Sequence, residues 1–400
     1  MKTKQKKYRV RDILEGHLST YLRDPKRKLY VTSKHLTAIN WLVACRTSKL
    51  GIGHYGCDNC EDSHYYVYRS CGHRFCPTCG VLETNKWSEK MLSNLLNMKH
   101  HHVVMTLPKP LRSLSKKNGD LIHKELFKQS SEVIKSWFAN RHRLKPGIVS
   151  VLHSSGSDLK YHPHVHMIVS GGGKEINSES YRELEGDYLV PQYFLGEQLR
   201  KRMIKGLTQL YKKGELKVPE SQKEGLKFQT WLRSIKGKHW VVNIQKPLKD
   251  VTSIVRYVGR YTKRCCLSEY KIEEVGKDVV KIRYNDYKNS KRGEPAKQGI
   301  RSFTKTEFMD ELLQHVPNKG FQMVRYYGLY SQLWKIPENE KAERQESEEV
   351  ELKDDWGEFE GYRKAMIRLG EKDPFMCEHC GELMKLKGVI VREGEYIESG

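Results

Sequence analysis

The strongest chemical signal in this 400-residue chain is the run Tyr161-His162-Pro163-His164-Val165-His166-Met167-Ile168-Val169. The run reads as a β-strand, where successive side chains point to opposite faces. His164 and His166 therefore share one face while Val165 packs behind them, which supplies half of a metal site on a rigid element. His162 falls on the same face and could support or replace one of the pair. Further along, Tyr257-Val258-Gly259-Arg260-Tyr261 puts two phenols at i and i+4 in a stretch that reads as helix, one turn apart on the same flank. Leu248, Val251, Val255 and Val258 form its apolar stripe, with the tyrosines to one side. Arg264 continues their line toward the C-terminus, where a cation suits both the helix dipole and a DNA phosphate. Gly259 costs up to about 1 kcal/mol relative to Ala in a helix interior, which predicts a close neighbour there. Histidines that hold a divalent ion, combined with nucleophilic tyrosines, are equipment for cutting and rejoining DNA.

Ten cysteines supply a second kind of chemistry, and most are clustered. Cys57-Asp58-Asn59-Cys60 is followed by Cys71-Gly72-His73-Arg74-Phe75-Cys76-Pro77-Thr78-Cys79. Two CxxC knuckles with this separation suit one tetrahedral zinc site, so the expectation is a structural Zn2+ on Cys57, Cys60, Cys76 and Cys79. Cys71 and His73 leave room for exchange of one ligand. Cys377-Glu378-His379-Cys380 stands alone near the C-terminus as half a ligand set.

Lys and Arg number 72 against 49 Asp and Glu, giving a formal charge of +23 and a pI near 9.4. That is the electrostatic footprint of a polyanion binder. The surplus is uneven: residues 338–360 carry 11 acidic and 3 basic side chains. No apolar run approaches the roughly 20 residues of a transmembrane helix. The basic N-terminus, Met1-Lys2-Thr3-Lys4-Gln5-Lys6-Lys7, leads into no apolar signal core. The sequence thus predicts a cytoplasmic protein with no membrane partner, whose reduced cysteines serve metal rather than disulfides.

Periodicity and punctuation predict the elements that must position these residues. Residues 1–50 form an N-terminal helical region, and 51–98 a zinc-ribbon-like module with a linking helix through Leu82, Trp87, Met91 and Leu95. Residues 99–335 form the catalytic domain, and 336–400 an acidic linker and tail. In the catalytic domain His102–Leu107 and Ile148–His153 read as strands flanking the His-x-His strand, which is expected to stop at Gly171-Gly172-Gly173. Helices are expected near 120–140, 194–213 and 248–264, and Thr304-Lys305-Thr306-Glu307 reads as a capping box. The fold class is α+β, a mainly antiparallel sheet sandwiched by helices.

Taken together, these motifs resemble a known family. His164-Val165-His166 is similar to the HUH motif of the HUH endonucleases, which include rolling-circle replication initiators, relaxases and some transposases. One branch shares the whole order: a cysteine-rich zinc module ending in Cys-Pro-x-Cys, then His-Pro-His-x-His, then Tyr-x-x-x-Tyr. Val316-Pro317-Asn318-Lys319-Gly320-Phe321 and Val324-Arg325-Tyr326-Tyr327-Gly328 extend the likeness. The chain resembles the two-tyrosine transposases of the insertion sequence ninety-one family over roughly residues 40–335. The third metal ligand differs among branches and is not carried by the motif. His153, which ends the preceding strand, is the candidate, because the turn at Ser154–Asp158 can bring it beside His164 or His166. Cys265 is too soft for magnesium, and Asp250 reads as a first-turn acid. His100, His101 and His102 read as surface residues flanking a strand.

The resemblance implies a divalent Mg2+ or Mn2+ held by the histidines, attack by Tyr257 or Tyr261 on a scissile phosphate, and a 5′-phosphotyrosine that a 3′-hydroxyl later resolves. It implies single-stranded DNA at element ends or end hairpins as substrate, and a location at a prokaryotic nucleoid. Assembly as a homo-oligomer is left open. Other readings are a rolling-circle replication initiator or relaxase with the same chemistry, and a nonenzymatic zinc-ribbon nucleic-acid binder. A His-x-His hydrolase lacks nearby carboxylates.

Overall fold

In a computed structural model, residues 8–218, 225–236, 240–247, 251–262, 265–287, 289–290, 294–341, 363, 366–367, 372–391 and 394–398 are described. The chain forms two compact units, one from residues 1–83 together with 345–400, the other from 84–344.

The first unit begins with three helices, α1 (Val10–Tyr21), α2 (Pro25–Tyr30) and α3 (Ser33–Ala44). Asp24 caps α2, accepting the Lys26 backbone N–H at 2.8 Å, and Pro25 occupies its first turn where no donor is needed. Strands β1 (Ile52–Gly56) and β2 (His64–Tyr68) form a hairpin, and α4 (Cys79–Leu92) leads into the second unit.

The second unit contains β3 (His100–Thr106), α5 (Arg112–Lys117), α6 (Gly119–Trp137), β4 (Leu144–Ser155), β5 (Tyr161–Glu175), β6 (Tyr181–Glu183), α7 (Gln192–Lys212) and α8 (Gly225–Lys236). After these come β7 (Val242–Ile244), α9 (Val251–Thr262), β8 (Ile272–Val275), β9 (Val279–Asp286), β10 (Lys297–Thr304), α10 (Lys305–Leu313) and β11 (Val324–Gly328). The first unit is completed by β12 (Lys385–Ile390) and β13 (Tyr396–Glu398). The expected capping box is present on α10: Thr304 Oγ1 accepts the Glu307 N–H at 3.1 Å and Glu307 Oε2 accepts the Thr304 N–H at 2.8 Å.

The central sheet of the second unit runs β11-β4-β5-β3-β7, with β6 paired to β5, and every pairing is antiparallel. One face carries Val103, Met105, Ile148, Leu152, Val165, Met167 and Val169, buried against Leu126 and Ile134 of α6 and Leu199 and Met203 of α7. The opposite face carries Val149, Val151 and Ile168, buried with Ile254, Val255 and Val258 of α9 and Met91 of α4. This is the expected α+β sandwich. The expected end of β5 at Gly171–Gly173 is corrected: the strand runs on to Glu175. Its glycines are there because neighbouring backbone is close. A Cβ at Gly172 would lie 2.1 Å from the Arg182 carbonyl oxygen, and one at Gly173 would lie 2.1 Å from that of Lys145.

In the first unit the four-stranded sheet has the order β13-β12-β1-β2. The segment beyond 335, expected as a linker and tail, therefore supplies two strands. Gly53 of β1 pairs with Val389 of β12 on one side and Val67 of β2 on the other.

Candidate functional site

Strand register assembles the histidines. His153 on β4 lies directly opposite His164 on β5, and Val104 and Val151 flank His166 on either side. Because partners in register share a face, His153, His164, His166 and His102 stand together with Val149, Val151 and Ile168. One ring nitrogen from each of His153, His164 and His166 lies within 4.8 Å of the others. His164 Nε2 is 3.0 Å from His166 Nε2 and 3.4 Å from His153 Nδ1. Two nitrogens bound at right angles to an ion of ~2.1 Å bond length are about 3 Å apart, so the spacing fits one coordination sphere.

The far side of each ring is also occupied. His164 Nδ1 donates to the His162 carbonyl oxygen at 2.6 Å, which leaves Nε2 with its lone pair toward the cluster. His153 Nε2 is 3.1 Å from Ser155 Oγ, so Nδ1 faces inward. His166 Nδ1 lies 2.9 Å from His102 Nε2, whose Nδ1 is 3.0 Å from Gln245 Oε1. One proton arrangement satisfies this chain: His102 Nδ1 donates to Gln245, His166 Nδ1 donates to His102, and His166 Nε2 is bare. Such outer contacts fix the tautomer and aim of a metal-binding imidazole. Burial, then the neighbouring imidazoles, holds His166 and His153 well below the usual histidine value, and burial takes His164 down to about 4. All three are therefore neutral at physiological pH, the form a metal requires.

His102 is a functional candidate that the sequence reading missed. The expectation that His100, His101 and His102 lie on the surface is overturned: all three are buried, between 0 and 3% exposed. Pairing of β3 between β5 and β7 encloses them. His102 stacks on His166 at 5.1 Å between centroids, and His100 Nε2 lies 2.6 Å from the Tyr330 hydroxyl. His162 contributes its carbonyl oxygen, while its ring takes Arg112 Nη2 at 2.8 Å.

Tyr257 and Tyr261 lie within α9, but their side chains are outside the described residues, as are Asp250, Leu248 and Arg264 altogether. The helix itself packs on the histidine face, since Ile168, in contact with its apolar stripe, is the next residue after His166 on that face. The close neighbour expected at Gly259 is present: a Cβ there would lie 2.5 Å from Ser88 Oγ and 3.3 Å from Thr84 and Trp87. Tyr326, on the same sheet face, has its hydroxyl 3.0 Å from Trp87 Nε1, which donates to it.

The cysteines partition differently from the expectation. Cys57, Cys60, Cys76 and Cys79 do not come together as one set. Cys76 and Cys79 join Cys45 and Cys71, while Cys57 and Cys60 join Cys377 and Cys380. In the first cluster the Cys45–Cys79, Cys71–Cys79 and Cys45–Cys76 sulfurs are 3.4, 3.6 and 3.7 Å apart. These are near the ~3.8 Å edge of a tetrahedron with ~2.3 Å Zn–S bonds. His73 is not a member, and its Nδ1 accepts the Phe75 N–H at 3.2 Å. Cys45 closes α3, where it reads as one more apolar residue of the helix. The same neighbours hold Cys79 below the ordinary thiol value and push Cys76 above it, through hydrogen bonds led by Cys45.

Comparison with known proteins gives two family matches. Residues 147–339 match the family described as "Putative transposase", and residues 13–107 match the "Transposase zinc-binding domain". The first span contains the histidines and α9; the second contains all of Cys45, Cys71, Cys76 and Cys79. "Putative transposase y4qJ" of Sinorhizobium fredii is 29% identical over 325 residues, covering 80% of this chain and 79% of that protein. The "Transposase for insertion sequence element IS801" of Pseudomonas savastanoi pv. phaseolicola is 29% identical over 301 residues, covering 72% and 68%. Among the described residues no helix is long and apolar enough to cross a membrane.

Proposed function

Since the chain belongs to the IS91 family of transposases, with that family's zinc-binding domain, we propose that it nicks and rejoins single-stranded DNA at element ends through a 5′-phosphotyrosine. The observation that carries this reading is the convergence of three neutral imidazoles on the sheet face where α9 packs. A divalent ion held by His153, His164 and His166 would neutralise the scissile phosphate and polarise its phosphorus. An all-nitrogen donor set suits Mn2+ better than the oxygen-seeking Mg2+.

Tyr257 or Tyr261 is the nucleophile. Its phenolic oxygen bonds to phosphorus, the bond from phosphorus to the 3′ oxygen breaks, and the tyrosine's proton is matched by one gained at the 3′-hydroxyl. The ester keeps the bond energy, so the reverse attack by a 3′-hydroxyl rejoins strands without a nucleotide cofactor. Two tyrosines one turn apart allow two strand ends to be held at once or in succession. Arg264 and the basic surface contact phosphates, which position the strand without reading its sequence. The zinc-binding unit would take part in recognising the ends, in the cytoplasm where the nucleoid lies.

The test incubates labelled single-stranded element ends with the protein and Mn2+, then separates covalent adducts on a denaturing gel. The adduct should map to Tyr257 or Tyr261 and vanish in the Tyr257→Phe, Tyr261→Phe double variant, which keeps both rings. Persistence of the adduct in that variant would move the nucleophile elsewhere, with Tyr326 and Tyr327 next to be replaced.

A further inference from the structure

The family's zinc-binding match ends at residue 107 and encloses one complete cysteine cluster. It leaves Cys57 and Cys60 with partners far outside the matched span. Cys57 and Cys380 are 323 residues apart in sequence, yet their sulfurs are 3.4 Å apart. All four sulfurs of Cys57, Cys60, Cys377 and Cys380 lie within 4.8 Å of one another, and all are free thiols.

Each Cys-x-x-Cys pair sits in a turn closed by backbone hydrogen bonds. In one, the Cys57 N–H donates to the Ser63 carbonyl at 3.1 Å and the Ser63 N–H donates to that of Cys60 at 3.1 Å. In the other, the Cys377 N–H donates to the Glu382 carbonyl at 2.8 Å and the Gly381 N–H donates to that of Cys377 at 3.0 Å. Gly381, directly after Cys380, has φ +73°, a left-handed conformation that glycine adopts without steric cost. The Asn59 N–H donates to Cys57 Sγ at 3.4 Å, and the Cys377 thiol donates to Ser63 Oγ at 3.2 Å, a contact whose direction reverses once the thiol is ionised. Such bonds stabilise thiolates, the form that ligates metal.

Among the described residues an apolar cluster surrounds the four cysteines. Tyr55, Val67, Phe375 and Met384 are its other buried members, with Tyr55 and Phe375 rings 4.4 Å apart. All ten cysteines are free, so no disulfide ties the two knuckles together, and a metal is the cross-link their sulfurs could form.

We propose that Cys57, Cys60, Cys377 and Cys380 bind a second zinc ion, which clamps the C-terminal strands of the chain onto its N-terminal hairpin. Asp58 reinforces the clamp from the knuckle itself, pairing with Lys385 at 2.6 Å and with Lys387 of β12. The ion is structural, because four protein thiolates complete its tetrahedron and leave no position for a reacting group.

Metal analysis of the full chain carrying His164→Ala and His166→Ala, so that the imidazole cluster takes up no zinc, should find two zinc ions per chain after purification with zinc and dialysis. Replacing the Cys57/Cys60 pair by serine should leave one, and so should replacing the Cys377/Cys380 pair. Both pairs together should also leave one, since they share a site. Replacing Cys57/Cys60 together with Cys76/Cys79 should leave none. A single zinc in that His164→Ala, His166→Ala chain, or none when both knuckles of the proposed site are replaced in it, would overturn the assignment. Alkylation of the unaltered chain guards against variants that fail to fold. Cys380 is exposed, so only metal ligation would make it resist iodoacetamide until a chelator is added. Rapid labelling in the zinc-loaded chain would equally end the proposal.

Discussion

The histidine cluster and the cysteine clusters are both sets of metal-type ligands, but the chain assembles them in opposite ways. His153, His164 and His166 come from two strands joined by one short turn, and alternation along β5 fixes which side chains share a face. The cysteines come from knuckles that are chemically alike, and their partition depends on strands separated by the whole second unit. Local geometry specifies the first site. Tertiary pairing specifies the others. The contrast extends to chemistry, because three neutral imidazoles leave coordination positions open for a substrate oxygen, while four thiolates do not.

The largest effect should come from His166→Ala. It removes a converging nitrogen and should reduce nicking to background while leaving zinc content unchanged. The Cys76→Ser, Cys79→Ser variant should do the reverse to the metals, losing one of its two zinc ions but keeping Mn2+ binding, as read by calorimetry. If either variant disturbs both metals, the two kinds of site are not independent.

His102→Ala sharpens the comparison by testing the outer contact. Loss of a partner behind a metal-binding imidazole typically weakens metal affinity by about 10–100-fold. Mn2+ titration should show a loss of this order, and Gln245→Leu, one bond further out, a smaller one. An unchanged affinity in His102→Ala would reduce that histidine to packing. A valine at Gly259 should push α9 from α4 at a cost of ~1–3 kcal/mol, the usual penalty of overpacking. Chemical denaturation would measure it, and a neutral Gly259→Val would contradict the close contact with Ser88.

A further effect concerns pH. Burial lowers His100 and His315 to about 4, whereas unfolded histidine titrates near ~6.5. Between these values the unfolded chain takes up protons that the folded chain refuses, so stability should fall as pH drops from about 6.5 toward 4. Melting temperatures at neutral and mildly acidic pH would show the fall. A flat profile across that window would mean these rings are not held neutral.

Much of the second unit was legible because its signals are local. The strand carrying His164 and His166, the stripe of Val255 and Val258, the tight spot at Gly259 and the Thr304–Glu307 box all follow from spacing within one element. What was not legible depends on neighbours distant in sequence. His100, His101 and His102 have a polar composition that suits a surface, and neighbours distant in sequence cover them, Tyr330 over His100 and Gln245 and His166 over His102. Gly171–Gly173 resembles a stop signal, yet close carbonyls from β4 and β6 make glycine the residue that lets the strand continue. Cys45 hides within a helical pattern. Cys377 and Cys380 look unpaired until β12 is laid beside β1.

That last pairing bears on the order in which the molecule can be made. Strand β1 has β12 as one of its two neighbours, and the ribosome reaches β12 only after all of residues 84–344. The inserted unit has every strand of its central sheet in hand before then, and can fold while the polypeptide is still growing. The N-terminal hairpin must wait with an open edge, which is the form of strand most prone to wrong partners. A nascent chain halted before residue 385 would thus carry a finished sheet around its histidines and an unfinished one around Cys57. Synthesis of β12 is the step that lets the first unit close.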